Sequence, residues 1–68
     1  MKNWQKVYTT DKVYRATIIK DVLEENFLRP VLINKQDTIY KIGQVEIYVP
    51  PEEVLLAIKI IDEKNAPA

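Results

Sequence analysis

The fold is decided by residues 43–61, which have the sequence GQVEIYVPPEEVLLAIKII. From Val45 to Val49, apolar and polar side chains alternate, which is typical of a β-strand that is buried on one face. Two prolines then end the strand, because proline has no backbone N–H to donate to a sheet. Two glutamates follow, where negative charge suits a helix N-terminus, and an apolar run predicts a helix up to Ile61. The stretch therefore predicts a small α+β unit.

Outward from this stretch, the sequence predicts the element order β-α-β-β-α. The other predicted elements are a strand at 4–9, a helix at 11–26, a strand at 29–35 and a polar hairpin loop at 36–42. The right-handed crossover rule makes the first two strands parallel, with the third antiparallel between them, so the strand order is 1-3-2. Both helices then cover one face of the sheet. We expect one α+β domain over residues 1–63, a ferredoxin-like two-layer sandwich without its fourth strand, and a frayed tail at 64–68.

The first helix is expected to begin after an N-cap among Thr9, Thr10 and Asp11, whose side-chain oxygens can accept a first-turn amide. Asn26 is expected to end it in the left-handed conformation. Gly43 is predicted to provide a bulge or a positive-φ turn before the third strand. The predicted core face of the first helix contains Val13, Ala16, Ile19, Leu23 and Phe27.

Composition argues against several classes of function. The chain has 68 residues with no cysteine and no histidine, so it lacks disulfides, the usual zinc ligands, the commonest general base and the strongest nucleophile. Ten basic and ten acidic side chains cancel, which argues against a nucleic-acid partner. The N-terminal residues do not resemble a signal peptide, and no apolar run is long enough to span a membrane. We expect a cytoplasmic protein without a cofactor that is not an enzyme and contacts neither nucleic acid nor membrane.

Two features indicate association with another chain. Without a fourth strand, the first strand is an open sheet edge, whose unpaired amides and carbonyls invite another strand. Both predicted helices also carry an apolar stripe away from their core faces. These stripes contain Tyr14, Ile18 and Val22 on the first helix and Leu56 and Ile60 on the second. The stripes either pack against each other between the helices or bind a partner, and we expect a homo-oligomer, with a dimer as the first choice.

The open face of the sheet and the hairpin loop are the candidate ligand sites. If alternate residues of the third strand face the helices, Glu46 and Tyr48 point away from them, and Lys6 and Tyr8 share that open face if Val7 is buried. Aromatic rings beside charges can stack a nucleotide ring, although cross-strand pairing is the commoner reason for exposed tyrosines on strands. The candidate ligand-binding residues are Tyr8, Asn34, Lys35, Asp37, Glu46 and Tyr48.

An enzyme that uses Asp37 and Lys35 is the least favoured interpretation, because Asp37 lies where a turn residue is expected. The single glycine also argues against a glycine-rich phosphate loop, which needs several.

Five stretches of the chain, in order along residues 4–62, resemble one family. They are Val7-Tyr8-Thr9-Thr10, Tyr14-Arg15-Ala16, Val22-Leu23-Glu24-Glu25-Asn26, Asn34-Lys35-Gln36-Asp37 and Glu46-Ile47-Tyr48-Val49-Pro50. The chain resembles small bacterial domains of unknown function that are described as prokaryotic signal-transducing proteins. It departs from that family at Val13, where members tend to have proline, and at Phe27, where they often have glycine.

The resemblance implies a ferredoxin-like fold related to the nitrogen-regulatory PII proteins, and a regulatory or binding role. We therefore expect a non-enzymatic regulatory or protein-interaction module of the bacterial cytoplasm. The alternative is a small-ligand sensor that binds a nucleotide or metabolite at the open sheet face or at the 34–40 loop.

Overall fold

The computed structural model describes residues 2–65 and has the predicted order of elements. The strands are β1 (Gln5–Thr10), β2 (Val31–Asn34) and β3 (Val45–Val49), and the helices are α1 (Val13–Glu25) and α2 (Val54–Asn65), with a 3-10 turn at Pro51–Glu53. β3 lies between β1 and β2 and is antiparallel to both, so the sheet order is β1-β3-β2. This is the predicted α+β architecture, consistent with a ferredoxin-like sandwich of three strands and two helices.

The α2 helix continues through Asn65, two residues into the predicted tail, and residues 66–68 lie outside the described part of the chain. Among residues 2–65, neither helix is long and apolar enough to cross a membrane.

The core is built on the helix-facing side of β3. Val45, Ile47 and Val49 are fully buried, as their alternation predicts. The helices and the chain after α1 cover them with Ala16, Ile19, Leu23, Leu28, Ala57 and Ile61. Each large aliphatic side chain removed from water contributes about 1.5–3 kcal/mol. The strand–proline–helix stretch is therefore the centre of the core.

The predicted core face of α1 is confirmed at its centre and is wrong at both ends. Ala16, Ile19 and Leu23 are buried, whereas Val13 is 42% exposed and Phe27 is 92% exposed. Val13 is the first residue of α1 and Phe27 lies two residues beyond its last, Glu25, so the helical periodicity does not place either side chain in the core.

The predicted side-chain N-cap of α1 is also wrong. Lys12 occupies the N-cap position, and its side chain makes no capping hydrogen bond. The Thr10 hydroxyl instead accepts a hydrogen bond from the Lys12 backbone N–H at 3.1 Å. Thr10, two residues before the N-cap, therefore stabilises the turn that leads into the helix.

The C-terminus of α1 is closed by Phe27 and not by Asn26 in the left-handed conformation. Asn26 has φ −94°, while Phe27 has φ 66°. The Leu28 N–H donates to the Leu23 carbonyl at 3.1 Å, and the Phe27 N–H donates to the Glu24 carbonyl at 3.0 Å. This is the Schellman pattern, in which buried apolar residues flank the left-handed residue, here Leu23 and Leu28. The predicted role of Asn26 is wrong because burial of Leu28 places the reversal one residue later.

Replacing Phe27 with glycine should stabilise the protein. A left-handed conformation costs a residue with a side chain about 1–2 kcal/mol, and the greater unfolded-state entropy of glycine offsets about 0.5–1 kcal/mol of the gain. The Phe27 ring is 92% exposed, so its removal loses little packing. We expect thermal melts of F27G to give a Tm about 2–8 °C above that of the original chain.

The matched control is F27A, which removes the ring but keeps the Cβ and therefore the strain. Its Tm should stay close to that of the original chain. A Tm for F27G that is no higher than that of F27A would show that the left-handed turn carries no strain.

The β2–β3 loop is held by its own backbone hydrogen bonds. The Lys35 N–H donates to the Gln44 carbonyl at 2.9 Å, and the Asp37 N–H donates to the Ile42 carbonyl at 2.8 Å. Gly43 has φ 126°, and a Cβ at this position would lie 2.8 Å from the Lys35 carbonyl oxygen. The positive-φ turn predicted at Gly43 is confirmed, since both its conformation and its surroundings require glycine.

A β-bulge interrupts β1. Lys6 lies opposite Tyr48 of β3, but Tyr8 lies opposite Ile47, the next residue back along β3. Val7 is thus the additional residue of the bulge. An extra residue in one strand reverses the faces to which the following side chains point.

Candidate functional site

A nearly buried carboxylate lies on the sheet face that the helices do not cover. Glu46 is 7% exposed, although it projects from β3 away from the core. Its Oε1 lies 3.0 Å from the Lys35 Nζ and accepts a hydrogen bond from the Tyr48 hydroxyl at 2.9 Å, while its Oε2 lies 3.5 Å from the Lys6 Nζ. Both oxygens of Glu46 are therefore engaged. We call these four residues the Glu46 cluster.

The Glu46 cluster keeps its carboxylate ionised. The hydrogen bond from Lys35, followed by that from Tyr48, lowers the pKa of Glu46, and the same contact with Glu46 raises the pKa of Lys35. A general base is most effective when its pKa lies near the working pH. A carboxylate whose pKa is lowered further is better suited to an ion-pair network than to proton transfer.

The structure brings together three of the predicted ligand-binding residues, namely Lys35, Glu46 and Tyr48, and adds Lys6 to them. Lys6 reaches the cluster because β1 places it opposite Tyr48. Lys35 reaches it because it directly follows the last residue of β2.

Two other predicted ligand residues are used within the loop. The Asn34 Oδ1 accepts a hydrogen bond from the Gln36 N–H at 2.8 Å. The Asp37 Oδ1 accepts hydrogen bonds from the Tyr40 N–H at 2.9 Å and the Ile39 N–H at 2.7 Å, and these bonds lower the pKa of Asp37. Both side chains therefore shape the turn, which is the role expected of Asp37, whereas Asn34 was predicted only as a ligand residue.

The predicted position of Tyr8 on the open face is wrong. Because Val7 is the bulge residue, Tyr8 lies opposite Ile47, whose side chain faces the helices. Tyr8 packs against the hydrophobic core on that side, and Thr9 takes the open face, where its hydroxyl donates to the Gln44 Oε1 at 3.3 Å. Strict alternation from Lys6 missed the additional residue.

Tyr8 instead borders a groove at one end of the helix layer. The groove has a volume of about 230 Å³ and opens to solvent between the start of α1 and the end of α2. Its lining residues are Tyr8, Tyr14, Arg15, Ile18, Ile19 and Lys64. The neighbouring phenols of Tyr14 and then Tyr8 raise the pKa of the Arg15 guanidinium. We call this feature the Arg15 groove.

No sequence pattern indicates Arg15 and Lys64 as site residues. They lie on different helices, far apart in the chain, and follow no shared spacing. The other lining residues are predicted in different roles, Tyr8 as a ligand residue, Tyr14 and Ile18 in an apolar stripe and Ile19 in the core. The groove forms because the fold places the start of α1 beside the end of α2. This arrangement cannot be read from the spacing of the residues along the chain.

The predicted helix stripes are only partly hidden between the helices. Tyr14, Ile18 and Leu56 are 59%, 46% and 50% exposed, while Val22 and Ile60 are half-buried. Ile60 also packs against the core. Packing within the fold therefore accounts for part of the stripes, and partner binding by the exposed part stays a prediction.

Among residues 2–65, no three histidine, cysteine, aspartate or glutamate side chains are placed to hold a metal ion. The chain matches no protein-family model, no curated protein and no solved structure. Its relation to the signal-transducing family that the five stretches resemble stays a prediction.

Acidification should destabilise the protein through Glu46 and Asp37. Both carboxyl groups have a lowered pKa in the folded state. Each therefore contributes stability that is present above its unfolded pKa, about 3.9–4.3, and is lost as the pH falls through its folded pKa. We expect the Tm to be flat near neutral pH and to fall steadily below about pH 4.5.

The E46Q variant isolates the part of this pH-dependent stability that is due to Glu46. It should melt below the original chain at neutral pH, because Lys6 and Lys35 lose their ionised partner. The difference in Tm should narrow on acidification, since the original Glu46 then becomes neutral too. Glu63→Gln, an exposed change on α2, is the control and should follow the original chain. A difference between E46Q and the original chain that does not change with pH would contradict this role of Glu46.

Proposed function

We propose that the protein is a non-enzymatic regulatory module of the bacterial cytoplasm, of the signal-transducing type, that acts by binding another protein chain. The observation that carries this proposal is the large apolar surface left uncovered on a small domain. The exposed large apolar side chains are Val13, Tyr14, Ile18, Phe27, Ile39, Tyr40, Ile42, Leu55, Leu56 and Ile58. Where such side chains lie together in groups, the exposed apolar surface usually marks an interaction site.

One group of these side chains lies at the tip of the β2–β3 loop. Ile39, Tyr40 and Ile42 are 72–78% exposed. Asp37 holds the backbone beneath them through hydrogen bonds to two loop amides. A loop that is ordered before binding loses less conformational entropy on association, which supports a role for this tip in partner contact.

A second group lies on the helix layer, and the sheet adds an open edge. Tyr14, Ile18 and Leu56 are at least 46% exposed on the helices. Within residues 2–65, β1 pairs only with β3, so no described strand occupies its other edge, where a fourth strand would lie. A second copy can pair along that edge across a twofold axis and extend the sheet, which supports a homodimer as the first assembly to test.

The chemistry of the polar residues supports binding over catalysis. The most buried carboxylate, Glu46, is neutralised by Lys6 and Lys35 and has a lowered pKa. Asp37 is occupied with loop amides. Neither acidic residue is therefore arranged as a nucleophile or a general base.

Sedimentation velocity from low to high micromolar concentration tests the proposal. We expect the original chain to form a dimer, and Ile18→Glu and Leu56→Glu to weaken it by at least about tenfold, the effect of about 1.4 kcal/mol. Thr17→Glu is the matched control, because Thr17 is an exposed neighbour of Ile18 outside the apolar stripe. Its self-association should be unchanged.

A chain that stays monomeric at high micromolar concentration would overturn the homodimer. The wider proposal would then depend on a different protein partner that binds the original chain and T17E but not L56E. If the partner bound the original chain, T17E and L56E equally, the helix stripes would not be part of the interface.

A small-ligand sensor is the second candidate function. The open sheet face offers it less, because both carboxylate oxygens of Glu46 are already engaged by Lys6, Lys35 and Tyr48. The Arg15 groove on the opposite side favours it more, since that groove combines cations with apolar walls.

A further inference from the structure

We propose that the Arg15 groove binds a small organic anion that carries a single flat ring, such as an aryl phosphate. The groove lies on the helix side of the sheet, away from every residue predicted to bind a ligand except Tyr8. It is open to solvent, so a small ligand can enter without rearrangement of the fold.

The first argument is charge. Lys6, Lys20, Arg29 and Lys35 are engaged by carboxylates, whereas the exposed Lys12, Lys41 and Lys59 stand apart from the groove lining. Within residues 2–65, by contrast, neither Arg15 nor Lys64 forms an ion pair with a carboxylate. Both side chains line the same groove. The groove therefore presents positive charge that no described acidic residue neutralises.

The second argument is the chemistry of the donors. The Arg15 guanidinium offers several N–H donors in a plane, a geometry that matches the oxygens of a carboxylate or phosphate. Lys64 adds a second cation from the other side, near the end of α2. The pair is suited to one compact anionic group held between the two helices.

The third argument is the apolar wall and the size of the groove. Ile18 and the buried Ile19 lie beside the rings of Tyr8 and Tyr14. Aromatic side chains favour offset or edge-on contact with another ring. An apolar cavity of about 150 Å³ holds benzene, so the groove volume of about 230 Å³ has room for one ring and a small charged substituent.

Titration of the isotope-labelled full chain with phenyl phosphate, followed by amide chemical shifts in NMR spectra, tests this proposal. We expect saturable shifts confined to Tyr8, the first turns of α1 and the end of α2. Inorganic phosphate supplies the charge without the ring, and benzyl alcohol supplies the ring without the charge. Each should bind at least about tenfold more weakly than phenyl phosphate, because each makes only part of the contacts.

Two variants and a control locate the site. Arg15→Gln and Lys64→Gln should each weaken phenyl phosphate binding by about tenfold, as expected for loss of a charge-assisted contact. Lys59→Gln is the matched control, since it removes an exposed lysine of the same helix that does not line the groove. Its dissociation constant should be unchanged. All three positions are on the surface, so the spectra should retain the dispersion of the folded chain.

Several outcomes would overturn the proposal. They are the absence of saturable shifts, shifts centred on the Glu46 cluster, inorganic phosphate binding as tightly as phenyl phosphate, or a loss of binding in K59Q equal to that in K64Q. Because Tyr14 and Ile18 belong both to the groove and to the helix stripe, sedimentation velocity with and without phenyl phosphate separates ligand binding from a change in self-association.

Discussion

The burial of β3 on both faces and both edges is the constraint on which the rest of the structure depends. β1 and β2 satisfy its backbone hydrogen bonds on either side, and the helices cover Val45, Ile47 and Val49. On the remaining face, Glu46 is removed from water beneath Lys6 and Lys35. A carboxylate in that position must be paired, because an uncompensated buried charge is strongly destabilising. The ion pairs on the open face therefore complete the central strand, and they link it to Lys6 of β1 and to Lys35 directly after β2.

The sequence could predict the centre of this fold because local patterns and tertiary packing agree there. Alternation in β3, the proline pair after it and the apolar helix that follows each limit the chain to the same arrangement. Gly43 was predictable for a similar reason, since few residues can occupy its backbone conformation. The end of α1 was not predictable, because burial of Leu28 decides which residue must reverse the chain. Phe27 takes that position against its own backbone preference.

The candidate sites differ in the same way, since some depend on local sequence and others on tertiary packing. The roles of Asn34 and Asp37 are local, and turn chemistry anticipates that of Asp37. The Glu46 cluster was partly predictable from the sequence, because alternation along β3 places Glu46 and Tyr48 on one face of the sheet. The Arg15 groove requires the ends of two helices and a strand to meet, and nothing in the spacing of its residues along the chain predicts that meeting. A site assembled from distant segments becomes visible only once the helix and strand packing is known.

The bulge at Val7 has a consequence for the comparison of related sequences. One additional residue in β1 determines whether the tyrosine that follows lies beside the lysines of the open face or beside Arg15 under the helices. A relative with one residue fewer at this point would carry an aromatic at the aligned position on the opposite surface of the molecule. An alignment gap within β1 therefore moves the residues beside it from one face of the sheet to the other. Equivalent binding residues in this strand have to be identified from their pairing with β3 and not from their position in a sequence alignment.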